Sequence, residues 1–391
     1  MDEANNPYSP GAGRLPVALV GRDAQLKAWD TRLRRVEAGR DSQPLALYGL
    51  RGVGKTVLLA QFARQARERG WLVARVEAKA DASIRQLIGE ELAPGLADLA
   101  RPGMGSRVLK ALKTALSFKA SYDTSGTWSF GVDLSGVTGS NANTGSLEAD
   151  LGKLLRDLAG AAAEDGKGVA LLVDEIQDLE ANEIVALSAI AHRAAQDRER
   201  LAMAVAGLPS LPRVLTDAKS YAERLFEYHS IGPLEPTDAK RALIEPAQAE
   251  DVAWANAAAR LVLDAANGYP YFLQQFGQDS WNAASDSPIT VADAKVGLAR
   301  GWHSLDLGFF RARWERATEA EKTYLTAMAP DGDRGTSTAT VGQRLGRHPK
   351  SLSLTRANLI DKGLIYAPDH GMVAFTVPGM ATFIHRWTAA Q

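Results

Sequence analysis

The chain has 391 residues, a length that suits two or three domains. It is 46% hydrophobic and 23% charged with a net charge of −1, so no global field selects nucleic acid or membrane, and any DNA contact must come from a local patch. It has no cysteine, which excludes disulfides, thiol catalysis and cysteine-based zinc fingers, and its six histidines show no metal-ligand spacing.

Residues 1–16 are polar and rich in Pro, Gly and Asn, which predicts a flexible lead-in. They lack the apolar core of a secretion signal, and no apolar stretch approaches the roughly 20 residues of a membrane helix, so a cytoplasmic protein without membrane contact is expected. Val20-Gly21-Arg22-Asp23 then leads into an amphipathic helix through Leu26, Trp29, Leu33 and Val36. Residues 44–48 read as a short apolar strand, and residues 57–66 are apolar at helical spacing. Between them stands Gly49-Leu50-Arg51-Gly52-Val53-Gly54-Lys55-Thr56, followed by Val57. Strand, glycine loop and helix together aim backbone N–H groups and a helix N-terminus at phosphate oxygens. Gly49, Gly52 and Gly54 permit the turn and the close approach of the backbone. Lys55 is expected to reach the β- and γ-phosphates, and Thr56 to offer its hydroxyl to Mg²⁺. Arg51, Val53 and Val57 complete the expected nucleotide loop.

Residues 72–77 read as a core strand, with helices over 83–100 and 106–116. Residues 117–122 and 127–134 alternate around Asp123-Thr124-Ser125-Gly126, which predicts a hairpin inside a 117–146 insertion. Two readings of it stay open: a tolerated surface insertion, or a hairpin that touches a partner protein or DNA. A helix over 147–163 leads to Val169-Ala170-Leu171-Leu172-Val173, a run suited to a central parallel strand. The run ends in Asp174-Glu175, at the strand edge where open α/β sheets bind ligands. Asp174 is expected to hold Mg²⁺, mostly through water, and Glu175 to act as general base on the attacking water.

A helix over 184–195, strands over 201–207 and 226–231, and helices over 237–248, 254–266, 269–284 and 291–303 follow. The alternation of strand and helix from 17 to 235 predicts an α/β core with a parallel sheet, and residues 236–310 a helical lid. Residues 311–391 form a third unit. It holds a helix over 320–328, a short helix from Thr338 with a threonine cap, and a helix opened by His348-Pro349 and stopped by Gly363. A hairpin around Pro368-Asp369-His370-Gly371 completes the plan of a winged helix-turn-helix. Between 334 and 362, Arg334, Arg344, Arg347, Lys350, Arg356 and Lys362 stand against Asp361 alone, a basic patch suited to phosphates. Arg344, Arg347, Lys350, Ser351, Ser353 and Arg356 are the candidate contacts to double-stranded DNA. The same fold also docks on protein, here on its own core, and that alternative stays open.

These residues together resemble the AAA+-related P-loop ATPases that include archaeal and actinobacterial ATPases, archaeal origin-recognition proteins and STAND signalling ATPases. The resemblance spans roughly residues 17–390. It implies ATP or ADP with Mg²⁺ as ligands. It places Gly21 and Arg22 near the adenine, as that family's Gly-Arg box, and Pro270 of Gly268-Tyr269-Pro270 against the base. Arg224 lies where such families place an arginine that reaches a neighbouring subunit's nucleotide, which implies a homo-oligomer through the ATPase domain. The expected function is ATP binding and hydrolysis coupled to DNA binding through the winged helix. The alternative is a nucleotide-controlled switch whose winged helix packs on the core.

Overall fold

The computed structural model describes residues 1–11, 13–79, 81–99, 105–120 and 142–389. In chain order the core contains α1 (Asp23–Glu37), β1 (Leu45–Tyr48), α2 (Lys55–Glu68), β2 (Leu72–Glu77), α3 (Ile84–Leu99), α4 (Ser106–Lys119) and α5 (Leu147–Ala162). It continues with β3 (Val169–Asp174), α6 (Ala181–Gln196), β4 (Leu201–Gly207), α7 (Leu211–Ala218), α8 (Ala222–Leu225) and β5 (Glu227–Ser230). The five strands form one parallel sheet of order β2-β3-β4-β1-β5. β3 and β4 are buried throughout, which is why they read as continuous apolar runs. On one face Trp29 of α1 stacks on Phe62 of α2 at 5.0 Å and donates its indole N–H to the Phe62 carbonyl, fixing the helix that follows the glycine loop. The other face is covered by α3 to α6.

Ser117, Phe118 and Lys119, expected in a strand, are the last turn of α4. Phe118 is buried there, and an amphipathic helix end alternates over three residues as a strand does. The rest of the expected hairpin, residues 121–141, lies outside the described residues.

Four helices, α9 (Pro236–Ala249), α10 (Asn256–Ala266), α11 (Pro270–Ala283) and α12 (Val291–Ser304), follow the sheet. α11 and α12 cross closely: a Cβ on Gly297 would stand 2.5 Å from the Ser280 backbone. The N-terminal segment differs from the expected flexible lead-in, because it is strapped along this bundle. Tyr8 is 1% exposed, its hydroxyl donates to the Leu243 carbonyl, and the Trp254 indole donates to it at 2.9 Å. The Tyr8 ring lies on Gly277, where a Cβ would come within 2.7 Å of it. Asn6 donates to the Gln278 carbonyl and the Asn282 side chain, and Ser9 N–H donates to Gln274 at 2.9 Å.

A π-helical turn (Leu305–Phe310) and α13 (Arg311–Glu315) lead to the C-terminal module. It comprises α14 (Glu319–Met328), β6 (Thr336–Ser337), α15 (Thr338–Arg344), α16 (Ser353–Asp361), β7 (Ile365–Tyr366), β8 (Met372–Phe375) and α17 (Met380–Ala389). The strands form an antiparallel sheet of order β6-β8-β7. The cap of α15 is Ser337 rather than a threonine, its hydroxyl accepting from Thr340 N–H at 2.9 Å. The helix expected from His348 divides into a 3₁₀ turn (Pro349–Leu352) and α16. Gly363 at φ 63° stops α16, while β6 and α17 were not anticipated.

The module is docked on the core. Arg51 N–H, within the glycine loop, donates to the Thr376 carbonyl at 3.0 Å. A Cβ on Gly363 would stand 3.0 Å from the Arg51 guanidinium, and Phe310 stacks on Phe383 of α17 at 5.4 Å. No helix among the described residues is long and apolar enough to cross a membrane.

Candidate nucleotide site

The loop 49–56 leaves the C-terminal edge of β1 and enters α2. Gly52 and Gly54 have φ of 85° and 96°, a conformation that side chains resist. Gly49 is required for a different reason: a Cβ there would lie 2.1 Å from the Ile231 carbonyl oxygen. Lys55 is buried, and its ammonium donates to the Gly49 and Leu50 carbonyls at 2.8 Å each. Burial pushes its pKa down to about 8, against the attraction of Glu175 and Asp174.

β3 delivers Asp174 and Glu175 to the same edge. Asp174 is buried, which pushes its carboxyl pKa up, while a hydrogen bond from the Thr56 hydroxyl opposes the shift. Glu175 adopts the left-handed conformation at φ 49°, ψ 40°, an arrangement that costs a non-glycine residue about 1–2 kcal/mol. That twist turns its carboxylate toward Arg51, which pairs with it at 2.9 Å. Gln177 donates to the other Glu175 oxygen and accepts from Leu208 N–H, tying the carboxylate to the end of β4.

A cavity of about 300 Å³ opens over the loop. Arg22, Arg51, Gly52, Val53, Gly54, Lys55, Thr56, Val57, Glu175 and Pro270 line it. Its apolar end is walled by Pro16, Ala18, Leu19, Val20, Leu234 and Ala242. Gly21 and Gly49 do not line it. Gly21, at φ 69°, lies where a Cβ would meet Asp238 of α9 at 2.8 Å. Arg22 donates to the Val53 and Gly232 carbonyls, tying this corner to the glycine loop. Asp174 and Thr56 border an adjoining pocket with Glu77 and Glu90. A buried carboxylate beside a hydroxyl is an all-oxygen donor set that fits Mg²⁺.

Against this geometry stands a family match: residues 18–205 fit the model described as the AAA ATPase domain. This part of the chain is an AAA ATPase domain. Residues 307–384 match a domain of unknown function, DUF8462. No curated protein matches the chain. Among solved structures, the chain is similar to the Walker-type ATPase PABY2304 of Pyrococcus abyssi, at 16% identity and a TM-score of 0.58, over 94% of this chain and 96% of that one. Cdc6p from Pyrobaculum aerophilum, at 14% identity and a TM-score of 0.46, is matched over 100% and 98%. RuvB of Thermotoga maritima, also at 14% and 0.46, is matched over 92% and 94%. Of these three, the first is near enough to speak for a shared fold.

The AAA ATPase domain does not bring every expected residue to its cavity. Arg224 is exposed and precedes β5, and its carbonyl accepts from Gln43 at the edge of the sheet opposite the glycine loop. It does not line the cavity of its own chain. In the C-terminal module, Arg344 is committed to Asp331 through two bonds of 2.7 and 2.8 Å and to the Ala327 carbonyl. Lys362 is held by Glu321. Arg356 is half-buried, its Nε without a partner among the described residues. Arg347, Lys350, Ser351 and Ser353 remain exposed, with Leu354 beside them at 71%. Sequence reasoning missed Tyr271, Gln274, Phe309 and Arg313, which line the cavity, as do Ser9, Gly13 and Arg14 of the N-terminal strap. Proximity to Pro270 was the one signal for Tyr271; the others come together only through the fold.

Proposed function

We propose that this protein binds ATP in the cavity above the glycine loop and hydrolyses it, and that nucleotide state governs the docking of its C-terminal module. The observation that carries the reading is the position of Arg51. Its backbone N–H is held by Thr376 of the module, and its guanidinium holds Glu175. One residue thereby links the general-base candidate to an element that follows Arg51 by more than 300 residues in sequence.

The roles follow from the atoms. The backbone of residues 52–56 would cradle the phosphates, with Lys55 between them. Mg²⁺, held by Thr56 and Asp174, would neutralise charge on the phosphate oxygens. Glu175, once released by Arg51, would take the proton of the attacking water. The pairing with Arg51 keeps that carboxylate occupied, so we expect slow turnover while the module is docked. The working division is a core over 17–235, a lid over 236–310 and a winged-helix module over 311–391. Arg224 would act only in an assembly, and its loss would then lower turnover solely at concentrations where copies associate.

A second reading is DNA binding by the module. It is favoured by Arg347, Lys350, Ser351 and Ser353, which stay exposed while the module meets the core through Thr376. Arg344 leaves that set, because Asp331 already satisfies it.

The test is ATP turnover with and without duplex DNA, with Glu175→Gln as the blank. Slow turnover indifferent to DNA supports the switch. Stimulation by DNA that disappears in Arg347→Ala/Lys350→Ala supports the second reading. Turnover no greater than that of Glu175→Gln would sink the assignment as a hydrolase.

A further inference from the structure

The Glu175 carboxylate has two side-chain partners, and they answer to different parts of the molecule. Arg51 holds one oxygen and is itself tied to the C-terminal module through its N–H. Gln177 holds the other oxygen, and its remaining bonds are to the core. It stands on the 3₁₀ turn Ile176–Asp178, which the fully buried Ile176 pins in place. Its amide uses both of its polar groups. The nitrogen donates to Glu175 and reaches Asp178 at 3.4 Å, and the oxygen accepts from Leu208 N–H at 3.1 Å. Gly207, the last residue of β4, leaves the space that this amide fills: a Cβ there would stand 2.8 Å from the Gln177 oxygen. The Gly207 carbonyl in turn accepts from Gly49 N–H at 3.2 Å. Glu175 is thereby referenced, through Gln177 and the end of β4, to the first glycine of the nucleotide loop. Gln177 itself does not line the cavity.

We propose that Gln177 is the positioning residue of the general base, holding the Glu175 carboxylate in line with the attacking water once Arg51 has let go. This rests on the reading of Glu175 as the base of an ATPase. The two partners of that carboxylate act in opposite directions. Arg51 brings a full positive charge, which opposes the uptake of a proton. Gln177 brings a neutral amide, which fixes the orientation and leaves the oxygen freed by Arg51 open to water. It also separates like charges. Asp178 lies in the field of Glu175, and burial followed by that repulsion pushes its carboxyl pKa up. The amide nitrogen stands between the two carboxyl groups and offers a hydrogen to each. A glutamate in its place has no donor when ionised, and a methionine of similar length has neither group.

The experiment measures kcat and KM for ATP by phosphate release, with the affinity for the Mg²⁺ complex of ADP and Tm alongside. It compares wild type, Gln177→Met, Gly207→Ala, the double variant and Glu175→Gln as the blank. Gly207→Ala is a second route to the same group, because the atom nearest its new methyl is the end of the Gln177 side chain and the residue has no left-handed φ to strain. A base that is present but misplaced costs about tenfold to a hundredfold in rate. Gln177→Met should lower kcat by that factor while KM, ADP affinity and Tm stay as in wild type. Gly207→Ala should lower kcat in the same sense, and the double variant should be no slower than Gln177→Met. A Gln177→Met variant as fast as wild type would overturn the proposal, and a faster one would make Gln177 a second restraint beside Arg51. A fall in kcat accompanied by a raised KM and a lowered Tm would also overturn it, making Gln177 a packing residue of its turn. Wild type that binds ADP but turns over no faster than Glu175→Gln would overturn the hydrolase reading and this proposal with it.

Discussion

Replacing Arg51 by alanine should accelerate ATP turnover. The guanidinium and the Glu175 carboxylate meet at 2.9 Å, with side chains 26% and 16% exposed. At an effective dielectric constant near 20, charges about 4 Å apart attract by about 4 kcal/mol. Desolvation and the partial exposure reduce this, and a charge-assisted bond typically retains about 1.5–3 kcal/mol. Glu175 must give up that bond before it can accept a proton from water. If half of the retained energy enters the barrier, its removal is worth about fourfold to thirteenfold in rate. The Arg51 N–H to Thr376 contact belongs to the backbone and survives the substitution, so the module stays docked. The assay is phosphate release at saturating ATP, which separates the rate from any loss of affinity caused by removing a cation from the cavity. The double variant Arg51→Ala/Glu175→Gln should fall to the Glu175→Gln floor. A single Arg51→Ala variant that itself falls to that floor would refute the reasoning, because Arg51 would then contribute to the reaction rather than restrain the base.

Three further outcomes are expected. Lys55→Ala should lose nucleotide binding by calorimetry, whereas Glu175→Gln should bind normally and hydrolyse nothing; reversal of the pair would exchange their roles. Lys55 also predicts a pH effect. Its pKa is held at about 8 by burial, below the ordinary lysine value of about 10.4. Between these values the unfolded chain binds more protons than the folded one, so stability rises with pH, and below about 8 the cost of the buried charge is fully present. The Tm of the nucleotide-free protein minus that of Lys55→Met should therefore climb from pH 8 towards pH 10, and a flat difference would deny the shift. Gly49→Ala would drive a methyl into the Ile231 carbonyl, a contact that only movement of the backbone relieves. A loss of about 1–3 kcal/mol in chemical denaturation is expected together with impaired nucleotide binding. A variant as stable as wild type would mean that β5 yields freely.

The nucleotide loop and the Asp174-Glu175 edge were legible because each is local: a strand, its terminal residues and the turn that follows are written consecutively. The alternating apolar runs of the core and lid were legible for the same reason. The N-terminal strap was not. Its Pro, Gly and Asn content is that of a loop, and what orders it is Tyr8 meeting Gly277 and Trp254 from distant helices. Pattern also misled at Ser117 to Lys119, where three alternating residues belong to a helix end.

The basic patch shows how a charge count can fail while its conclusion half survives. Counting from 334 to 362 placed six cations against one carboxylate. The partners lie just upstream of that window: Asp331 takes Arg344 and Glu321 takes Lys362. What remains for a ligand is Arg347 and Lys350 with the exposed serines, a smaller electrostatic footprint whose phosphate contacts would give a shallow salt dependence. The side of the module facing inward is chemically different, meeting the core through the Thr376 carbonyl and Gly363, and the end of the lid through the Phe383 ring on Phe310. A ligand on the outer face would therefore not compete with the core for the same atoms. It could act on Glu175 only by moving the module as a body, through Thr376 to Arg51. Arg347→Ala/Lys350→Ala should accordingly abolish any stimulation by DNA while leaving basal turnover and Tm as they are. Stimulation that persists in that variant would mean that DNA reaches the ATPase domain by another surface.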